Sequence, residues 1–513
     1  MQLGSTDTRS NQTGIAIPEP TGDSFTNDIG RGVAAALLAI TIIIAAGLRL
    51  FGANDQLWFD EIATLLDSVR KPIGVIMTHF PSDNDHVFYS VLAHISVGLG
   101  GETPFMLRLP AILFGIGSIP LIYTIGTRVT TRFEALASAI VATVAAYHIW
   151  FSQNARGYTM LLVLTLLGTQ FIIDGIRTRS LKPWLGFALA SALGAYTHLS
   201  MILAVFGQAI AVALHLLTSK RLSFAEMKGP AVGFIGAAVL TILLYSPMIG
   251  DVTGFFGATS SAPKPVTARG GLFDLLSYLQ LSFTTGIVLV VGGGIFLVGL
   301  VSYWRQSSLV PTLFFIPAAF IFFATVLMER PTRPRFFFFV AGFLILVGIR
   351  GVFVIIHAAL NRAGGSWLSY EKLVRWVAIA ALTSLLLVDL SRTYGRPKMD
   401  YEGALAYVEA THRSDDIIAL AGVGAGFVYT NFYHRNWPQI SSVEQLASLR
   451  HGHDVLVIRT LERTFGQNNP ALLEALKASC REEAIFRGTL SDGEMFVSRC
   501  AQSLPITKPT NRF

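Results

Sequence analysis

The chain has 513 residues, 52% of them hydrophobic and only 14% charged, with a mean hydropathy of +0.55. Those values lie outside the range of soluble globular proteins. The formal net charge of +7 would suit nucleic acid, but the basic residues sit in short loops between apolar runs, which argues against that class.

Residues 1–31 are polar and without periodicity. They lack the basic start, apolar core and small-residue cleavage site of a signal peptide, so a disordered cytoplasmic tail is expected. From there to residue 391 the chain reads as a polytopic α-helical membrane domain. Eleven transmembrane helices are expected, at 32–51, 108–127, 133–150, 158–176, 183–198, 199–218, 229–250, 286–304, 309–328, 336–356 and 372–391. Each run is near the length a helix needs to cross the hydrocarbon core, and in lipid a helix satisfies its own backbone. Gly292-Gly293-Gly294, inside one run, suits a close helix approach.

With the N-terminus inside, every expected cytoplasmic loop is basic, including Arg128 with Arg132 and Arg177 with Arg179 and Lys182. That is the charge bias that orients membrane proteins. Arg330, Arg333 and Arg335 break it on the outer side, which suggests an anionic partner there. Residues 52–107 form a long outer loop. The stretch 87–105 is apolar, but Gly98, Gly100 and Gly101 interrupt it, and counting it as a span would invert every later loop. Helices lying in the membrane interface are therefore expected at 61–69 and 87–105.

Beyond residue 391 apolar density falls. Strand-like runs at 417–420 and 455–458 alternate with helical patterns at 401–410, 443–449 and 471–477, so 392–513 is expected to be a soluble α/β domain outside the membrane. Both cysteines, Cys480 and Cys500, fall in it. A disulfide is the reading for an outer compartment, with two buried free thiols as the alternative.

Polar residues gather at the outer edges of the apolar runs. Asp60 and Glu61 follow Trp58, an expected interfacial anchor, at the mouth of the first span. Carboxylates at a membrane edge mark a reaction site or an ion path, and Asp60 would serve as a base taking a proton from an acceptor hydroxyl or amine. The same pair also suits the first turn of a helix, where Asp caps and Glu favours the dipole. Asp83, Asp85 and His86 come next, and they permit a divalent cation or simply a turn with a helix cap. Arg108, Arg156 and Arg335 each stand at the outer end of a span, where guanidinium groups bind phosphate or snorkel to head groups. Gln153 and Tyr158 flank Arg156 as orienting groups, and His198 lies between two spans, as a loop histidine or as part of the site. The Phe336–Phe339 run reads as lipid-facing or core packing.

Taken in order, these pieces resemble the GT-C glycosyltransferases, specifically the protein O-mannosyltransferases and the bacterial aminoarabinose transferase of lipid A. The matching stretches are Phe59-Asp60-Glu61, Asp85-His86-Val87-Phe88-Tyr89, Arg108-Leu109-Pro110-Ala111, and the run from Tyr147 through Gln153 and Arg156 to Tyr158. Tyr196-Thr197-His198 and Pro334-Arg335-Phe336 are weaker echoes. Val87 and Phe88 replace the two prolines of the family's His-Pro-Pro stretch. The resemblance implies a GT-C fold and an inverting glycosyltransferase in the bacterial inner membrane, working on its outer face. It implies a polyprenyl-phosphate-linked sugar as donor and an envelope acceptor, which is a protein, lipid A or a polysaccharide. Asp60 with Glu61 would be catalytic, and Arg108, Arg156, Arg335 and Tyr158 would hold the donor phosphate. Asp85, His86, Gln153 and His198 would orient substrate. A divalent metal on Asp83, Asp85 and His86 is permitted and not required. A flippase for a lipid-linked sugar and a non-catalytic envelope scaffold are the other classes. A flippase would show charges deep within spans, broken helices and two related halves.

Overall fold

Pro104 stands at the first position of a 26-residue helix, and the Thr103 hydroxyl accepts the Met106 N–H at 3.2 Å to cap it. A first-turn proline loses no hydrogen bond, so this start is well defined. The computed structural model describes residues 28–80, 85–220, 222–258, 286–327, 334–490 and 492–502. The expected loop arginines Arg330 and Arg333, and most of 251–285, lie outside them.

The membrane domain runs through α1 (Arg31–Leu50), α5 (Pro104–Val129), α6 (Arg132–Val144) with α7 (Ala146–Ser152), α8 (Tyr158–Thr178), α9 (Leu181–Thr197) and α10 (Ser200–Thr218). It continues through α11 (Phe224–Tyr245), α12 (Ile249–Ala258), α13 (Gly286–Gln306), α14 (Leu309–Leu327), α15 (Ala341–Ala363) and α16 (Glu371–Thr393). Each expected span falls on one of these helices except that at 133–150, which divides between α6 and α7. Among the described residues, eight helical segments are long and apolar enough to cross a membrane, or nine if α6 and α7 count as one. α9, at 17 residues, is shorter than the rest.

The expected single span at 133–150 is instead bent by 64° between α6 and α7. Ala145 leaves helical geometry there (φ −65°, ψ 113°), which strands the last carbonyls of α6. Arg49, fully buried at the end of α1, supplies the missing donors. Its guanidinium reaches the carbonyls of Thr143 (3.2 Å) and Ala142 (3.4 Å) and Nδ1 of His148 (2.9 Å). A cation at a helix C-terminus also opposes the helix dipole favourably. The Gly292–Gly294 run, expected to permit close approach, has nothing among the described residues within 4 Å of its would-be Cβ positions. The close crossing lies elsewhere: a Cβ on Gly299 would sit 2.0 Å from the Val347 carbonyl, and one on Gly351 2.0 Å from that of Ile295. α13 and α15 therefore pack backbone to backbone.

Between α1 and α5 lie α2 (Phe59–Thr64), extended by a π-helical turn over Leu65–Val69, then α3 (Ile73–Thr78) and α4 (Val87–Gly100). Fourteen residues of α4 reach about 21 Å at 1.5 Å each, too short to cross a bilayer. α4 is tied to α5 by the Tyr89 hydroxyl on the Leu107 carbonyl (2.6 Å) and Ser96 on that of Met106 (2.7 Å).

After α16 the chain forms an α/β unit: α17 (Tyr401–Thr411), β1 (Ile417–Ala421), α18 (Val423–Asn431), β2 (Gln439–Ile440), α19 (Val443–Leu449) and β3 (Val455–Thr460). Then follow α20 (Glu462–Asn468), α21 (Pro470–Ser479), β4 (Arg481–Phe486) and β5 (Met495–Cys500). The sheet order is β2-β1-β3-β5-β4, with β1 parallel to β2 and β3 and the other pairs antiparallel. Alternation sorts its side chains. Leu420, Leu456, Ile458, Met495 and Val497 share a core with Trp58, Ile62 and Leu65 of the segment between α1 and α5, while Ala419, Val455, Val457 and Cys500 pack under α19 and α21. The sheet unit thus sits directly on α2. The expected disulfide is formed, Cys480 to Cys500, joining the end of α21 to β5 with Cα atoms 4.2 Å apart.

Candidate functional site

α2 begins where Glu61 turns back on its own N-terminus and its Oε2 accepts the Trp58 N–H at 3.4 Å. Two further groups fix that carboxylate. Arg108 meets it as a fork, Nε to Oε1 at 2.7 Å and Nη2 to Oε2 at 2.6 Å, and the Ala155 N–H donates to Oε1 at 2.7 Å. Arg108 spends its remaining donors on the carbonyls of Ala53 (3.1 Å), Asp55 (2.8 Å) and Gln56 (2.9 Å). Both side chains are buried. Burial pushes the Glu61 carboxyl up, but Arg108, Lys398 and the Ala155 N–H outweigh it and hold it below its ordinary value. The expectation for these two residues therefore changes. Arg108 has no N–H left for a phosphate, and Glu61 has no lone pair left for a substrate proton, so the pair is a buried brace for α2.

The brace turns Asp60 the other way. Asp60, the preceding residue on the same helical turn, faces a different partner, and its Oδ2 accepts from Arg335 Nη1 at 2.9 Å. Arg335 comes from a short 3-10 helix, Pro334–Val340, which enters α15. Its neighbours Phe338 and Phe339 are buried in the membrane core, as a packing run would be, while the Phe336 ring lies 5.8 Å from that of His198.

The turn between α7 and α8 brings the next groups. Asn154 Oδ1 accepts from Trp58 Nε1 at 3.1 Å, so Trp58 is a buried strut and not the interfacial anchor expected of it. Arg156 Nη1 donates to the Thr64 hydroxyl at 2.9 Å, one turn beyond Asp60. Gly157 brings its backbone close: its N–H donates to His86 Nδ1 at 3.2 Å, and a Cβ there would lie 2.5 Å from Thr197 Cγ2. Tyr158 opens α8. Gln153, expected to orient substrate, faces backward instead, giving its amide to the carbonyls of Arg49 and Phe51 at the end of α1.

His86, His198 and Tyr158 form one cluster. The imidazole rings are 4.9 Å apart, His86 is 5.0 Å from the Tyr158 ring, and His198 is 6.1 Å from it. Each histidine accepts a backbone N–H at Nδ1, His86 from Gly157 and His198 from Ser200 (3.1 Å). That fixes the neutral tautomer with the proton on Nε2. Burial, joined by the positive field of Arg156 and Arg335, holds His86 well below the ordinary histidine value and His198 down to about 3. Both stay neutral across the physiological range. Among the described residues, Nε2 of His86, Nε2 of His198 and the Tyr158 hydroxyl are all buried without a hydrogen-bond partner. Three unpaired donors within one cluster, beside two guanidinium groups, are costly unless an acceptor-rich group binds among them.

Asp85 supports this cluster from below. Its Oδ1 accepts the His86 N–H at 2.8 Å and the Ser68 hydroxyl at 3.3 Å, and burial raises its carboxyl despite Arg156 nearby. Asp83 lies outside the described residues. Among those described, no three carboxylate, imidazole or thiol groups lie together to hold a metal ion. His86, with Nδ1 engaged and arginines around it, does not fit the cation site that the sequence permitted.

The site lies at one end of the membrane domain. The N-termini of α5 and α8 open onto it, and the other ends of both helices carry the Arg128–Asp174 pair (2.8 Å) and Arg177. Lys398, just before α17, was not singled out in the sequence, yet its ammonium lies 3.7 Å from Glu61 Oε1.

Comparison with known proteins agrees with this architecture. Residues 87–249 match the family described as dolichyl-phosphate-mannose-protein mannosyltransferase. That segment carries Arg108, Arg156, Tyr158 and His198, while Asp60, Glu61, His86 and Arg335 lie outside it. Among solved structures, ArnT from Cupriavidus metallidurans, bound to undecaprenyl phosphate, aligns with TM-score 0.52 at 11% identity, over 94% of this chain and 100% of that one. The archaeal oligosaccharyltransferase AglB from Archaeoglobus fulgidus, in complex with an inhibitory peptide and a dolichol-phosphate, aligns with TM-score 0.51 at 12% identity, over 92% of this chain and 75% of that one. No curated protein matches the chain by sequence. The chain has the GT-C fold, a polytopic helical membrane domain followed by an α/β domain, as the resemblance implied.

Proposed function

We propose that this protein is an integral-membrane inverting glycosyltransferase that moves a sugar from a polyprenyl-phosphate donor to an envelope acceptor on the outer face of the membrane. The observation that carries the reading is the set of three buried, unpartnered donors on His86, His198 and Tyr158 beside Arg156 and Arg335. The matched mannosyltransferase segment and the lipid phosphates bound by two structural neighbours support it.

In this reading the donor phosphate sits among Nε2 of His86, Nε2 of His198, the Tyr158 hydroxyl and the two guanidinium groups. Asp60 accepts the proton of the acceptor hydroxyl or amine as that atom attacks the anomeric carbon. The carbon–oxygen bond to phosphate breaks, and its electron pair leaves with the polyprenyl phosphate. Negative charge grows on that phosphate, and donors held in place beforehand stabilise it most. The neutral histidines donate hydrogen bonds and do not protonate the leaving group. Arg335 contacts Asp60 and is close enough to bridge base and phosphate. The basic residues Arg128, Arg132 and Arg177, at the end of the bundle away from Asp60, support a cytoplasmic placement of that end.

The test is transfer itself. Wild type and Asp60→Asn are reconstituted with a panel of polyprenyl-phosphate sugars and an envelope extract as acceptor, and free polyprenyl phosphate is measured. Release by wild type and its loss in folded Asp60→Asn are expected. Equal release by both would remove Asp60 from the chemistry. No release from either would return weight to a transporter or scaffold.

A further inference from the structure

The connection from α16 into the α/β domain passes through Pro397-Lys398-Met399-Asp400. Its backbone belongs to the domain, because the N–H groups of Thr489 and Leu490 donate to the carbonyls of Pro397 (2.9 Å) and Lys398 (3.2 Å). The Lys398 side chain turns the other way, into the membrane domain, and is 11% exposed. Its ammonium donates to the Gln153 carbonyl, lies 3.7 Å from Glu61 Oε1 and stands 5.4 Å from the centre of the Trp150 ring.

Those contacts join both halves of the site. Glu61 is on the turn of α2 that carries Asp60. Gln153 begins the turn that presents Ala155, Arg156, Gly157 and Tyr158. One ammonium group therefore bridges the segment bearing the base and the segment bearing the phosphate donors. Neighbouring contacts hold the domain in the register this requires: Gln56 Nε2 to Asp400 Oδ1 (2.9 Å), the Glu402 N–H to Gln56 Oε1 (3.1 Å), and Trp150 Nε1 to the Thr489 hydroxyl (3.3 Å). None of these three reaches Glu61.

We propose that Lys398 is a positioning residue which locks α2 against the 153–158 turn, so that docking of the α/β domain sets the geometry of the membrane site. The domain is then part of the active centre's frame and not an independent module. This rests on the glycosyltransferase reading for its consequence in turnover, but its geometric content does not depend on the substrate. Displacing a reacting group by about 1 Å costs on the order of 100-fold in rate, so a loosened bridge is read mainly in kcat.

The charge on Lys398 gives a second readout. Burial lowers its pKa to about 7, with Glu61 and Asp55 opposing that shift and Arg108 adding to it; Tyr394 and Arg396 line the same small cavity of about 50 Å³. The bridge to Glu61 is charged below that value and lost as pH rises through it. An arginine in its place stays charged throughout.

The experiment compares wild type, Lys398→Met, Lys398→Arg and Gln56→Ala in full-length reconstituted protein, by donor turnover from pH 5.5 to 9 and by amide exchange over residues 59–64. Expected are faster exchange at 59–64 in Lys398→Met and a fall in kcat of about tenfold or more, with KM for donor within about twofold. Lys398→Arg should recover most of kcat and lose the decline above about pH 7 that wild type shows. Gln56→Ala, which removes docking contacts but leaves the Lys398 ammonium in place, should raise exchange at 59–64 less than Lys398→Met does; an equal or larger rise in Gln56→Ala would overturn the proposal. Wild-type exchange and kcat in Lys398→Met would overturn the proposal, as would an unchanged pH profile in Lys398→Arg. If wild type itself transfers no sugar, the function reading fails, and exchange at 59–64 alone decides on Lys398: faster in Lys398→Met supports the bridge, unchanged overturns it.

Discussion

Arg335 Nη1 donates to Asp60 Oδ2 at 2.9 Å, across 275 residues of sequence, and makes one ion pair from the loop between α1 and α5 and the entry to α15. The pair is only partly exposed, at 22% for the arginine side chain and 11% for the aspartate. It places the proposed base beside a group able to hold the leaving phosphate. Arg335→Ala is expected to lower turnover by about 100-fold, a loss typical of removing one oxyanion-stabilising donor. Arg335→Lys should recover part of it, since lysine keeps the charge but not the planar fork. Initial rates of polyprenyl phosphate release, with the melting temperature as a folding control, check this.

Glu61 and Arg108 should behave differently from Asp60 and Arg335. Breaking a fully buried pair by removing one partner costs roughly 3–5 kcal/mol, because the other charge is left without compensation. Glu61→Gln and Arg108→Met are expected to lower the melting temperature sharply and activity with it, whereas Asp60→Asn should fold as wild type. The sign of the pH effect follows from the lowered Glu61 pKa. Its contribution to stability is present above the unfolded value of 4.5 and is lost as pH falls through the lower folded value. Thermal unfolding between pH 3 and 7, with Glu61→Gln lacking this acid-side loss, measures it.

His86 and His198 offer a test that separates binding from folding. Among the described residues the Nε2 donor of each has no partner, and a ring without it removes that cost, while at His198 the Ser200 N–H loses its acceptor on Nδ1. His198→Phe, where these two effects oppose each other, is expected to stay near wild type in melting temperature while weakening polyprenyl phosphate binding about tenfold or more, as loss of a hydrogen bond to a charged group of roughly 1.5–3 kcal/mol would. Titration with polyprenyl phosphate in detergent or nanodiscs measures the second quantity. His198 has a folded pKa of about 3 against an ordinary value of 6.5, so the unfolded chain binds more protons between them. Stability should therefore fall as pH drops below about 6.5, and less so in His198→Phe.

The Cys480–Cys500 bridge closes a loop with a sequence separation of 20. By chain entropy that corresponds to about 3 kcal/mol of stabilisation. Cys480→Ala with Cys500→Ala should lower the melting temperature of the α/β domain. Because that domain packs on α2 through Leu456, Ile458 and Val497, turnover should fall at temperatures where the domain loosens.

Much of this was legible in the sequence, for a physical reason. Charged residues at the ends of apolar runs are too costly to be incidental, so Asp60, Arg156 and Arg335 stood out, and the structure gathers them with His86, His198 and Tyr158 in one cluster. The periodicity of side chains could not reveal which oxygens each donor would meet. Arg108 sits at a span end like Arg156, yet three loop carbonyls and Glu61 take all its hydrogens. Gln153 lies three residues from Arg156, and the bend after Ala145 turns it back to α1. Trp58 resembled an interfacial anchor until the α/β domain covered it. Lys398 gave no signal at all, being a single lysine in a linker whose role depends on how two domains dock. The bend between α6 and α7 was equally hidden, since no proline marks it and the donor that stabilises it, Arg49, is about a hundred residues upstream.

The most direct test of the central claim is a structure of the protein in lipid nanodiscs with bound polyprenyl phosphate. The expected result is phosphate oxygens within about 3 Å of Nε2 of His86, Nε2 of His198 and the Tyr158 hydroxyl, with Arg156 and Arg335 alongside. A phosphate seated elsewhere, with those three donors still unpartnered, would contradict the account.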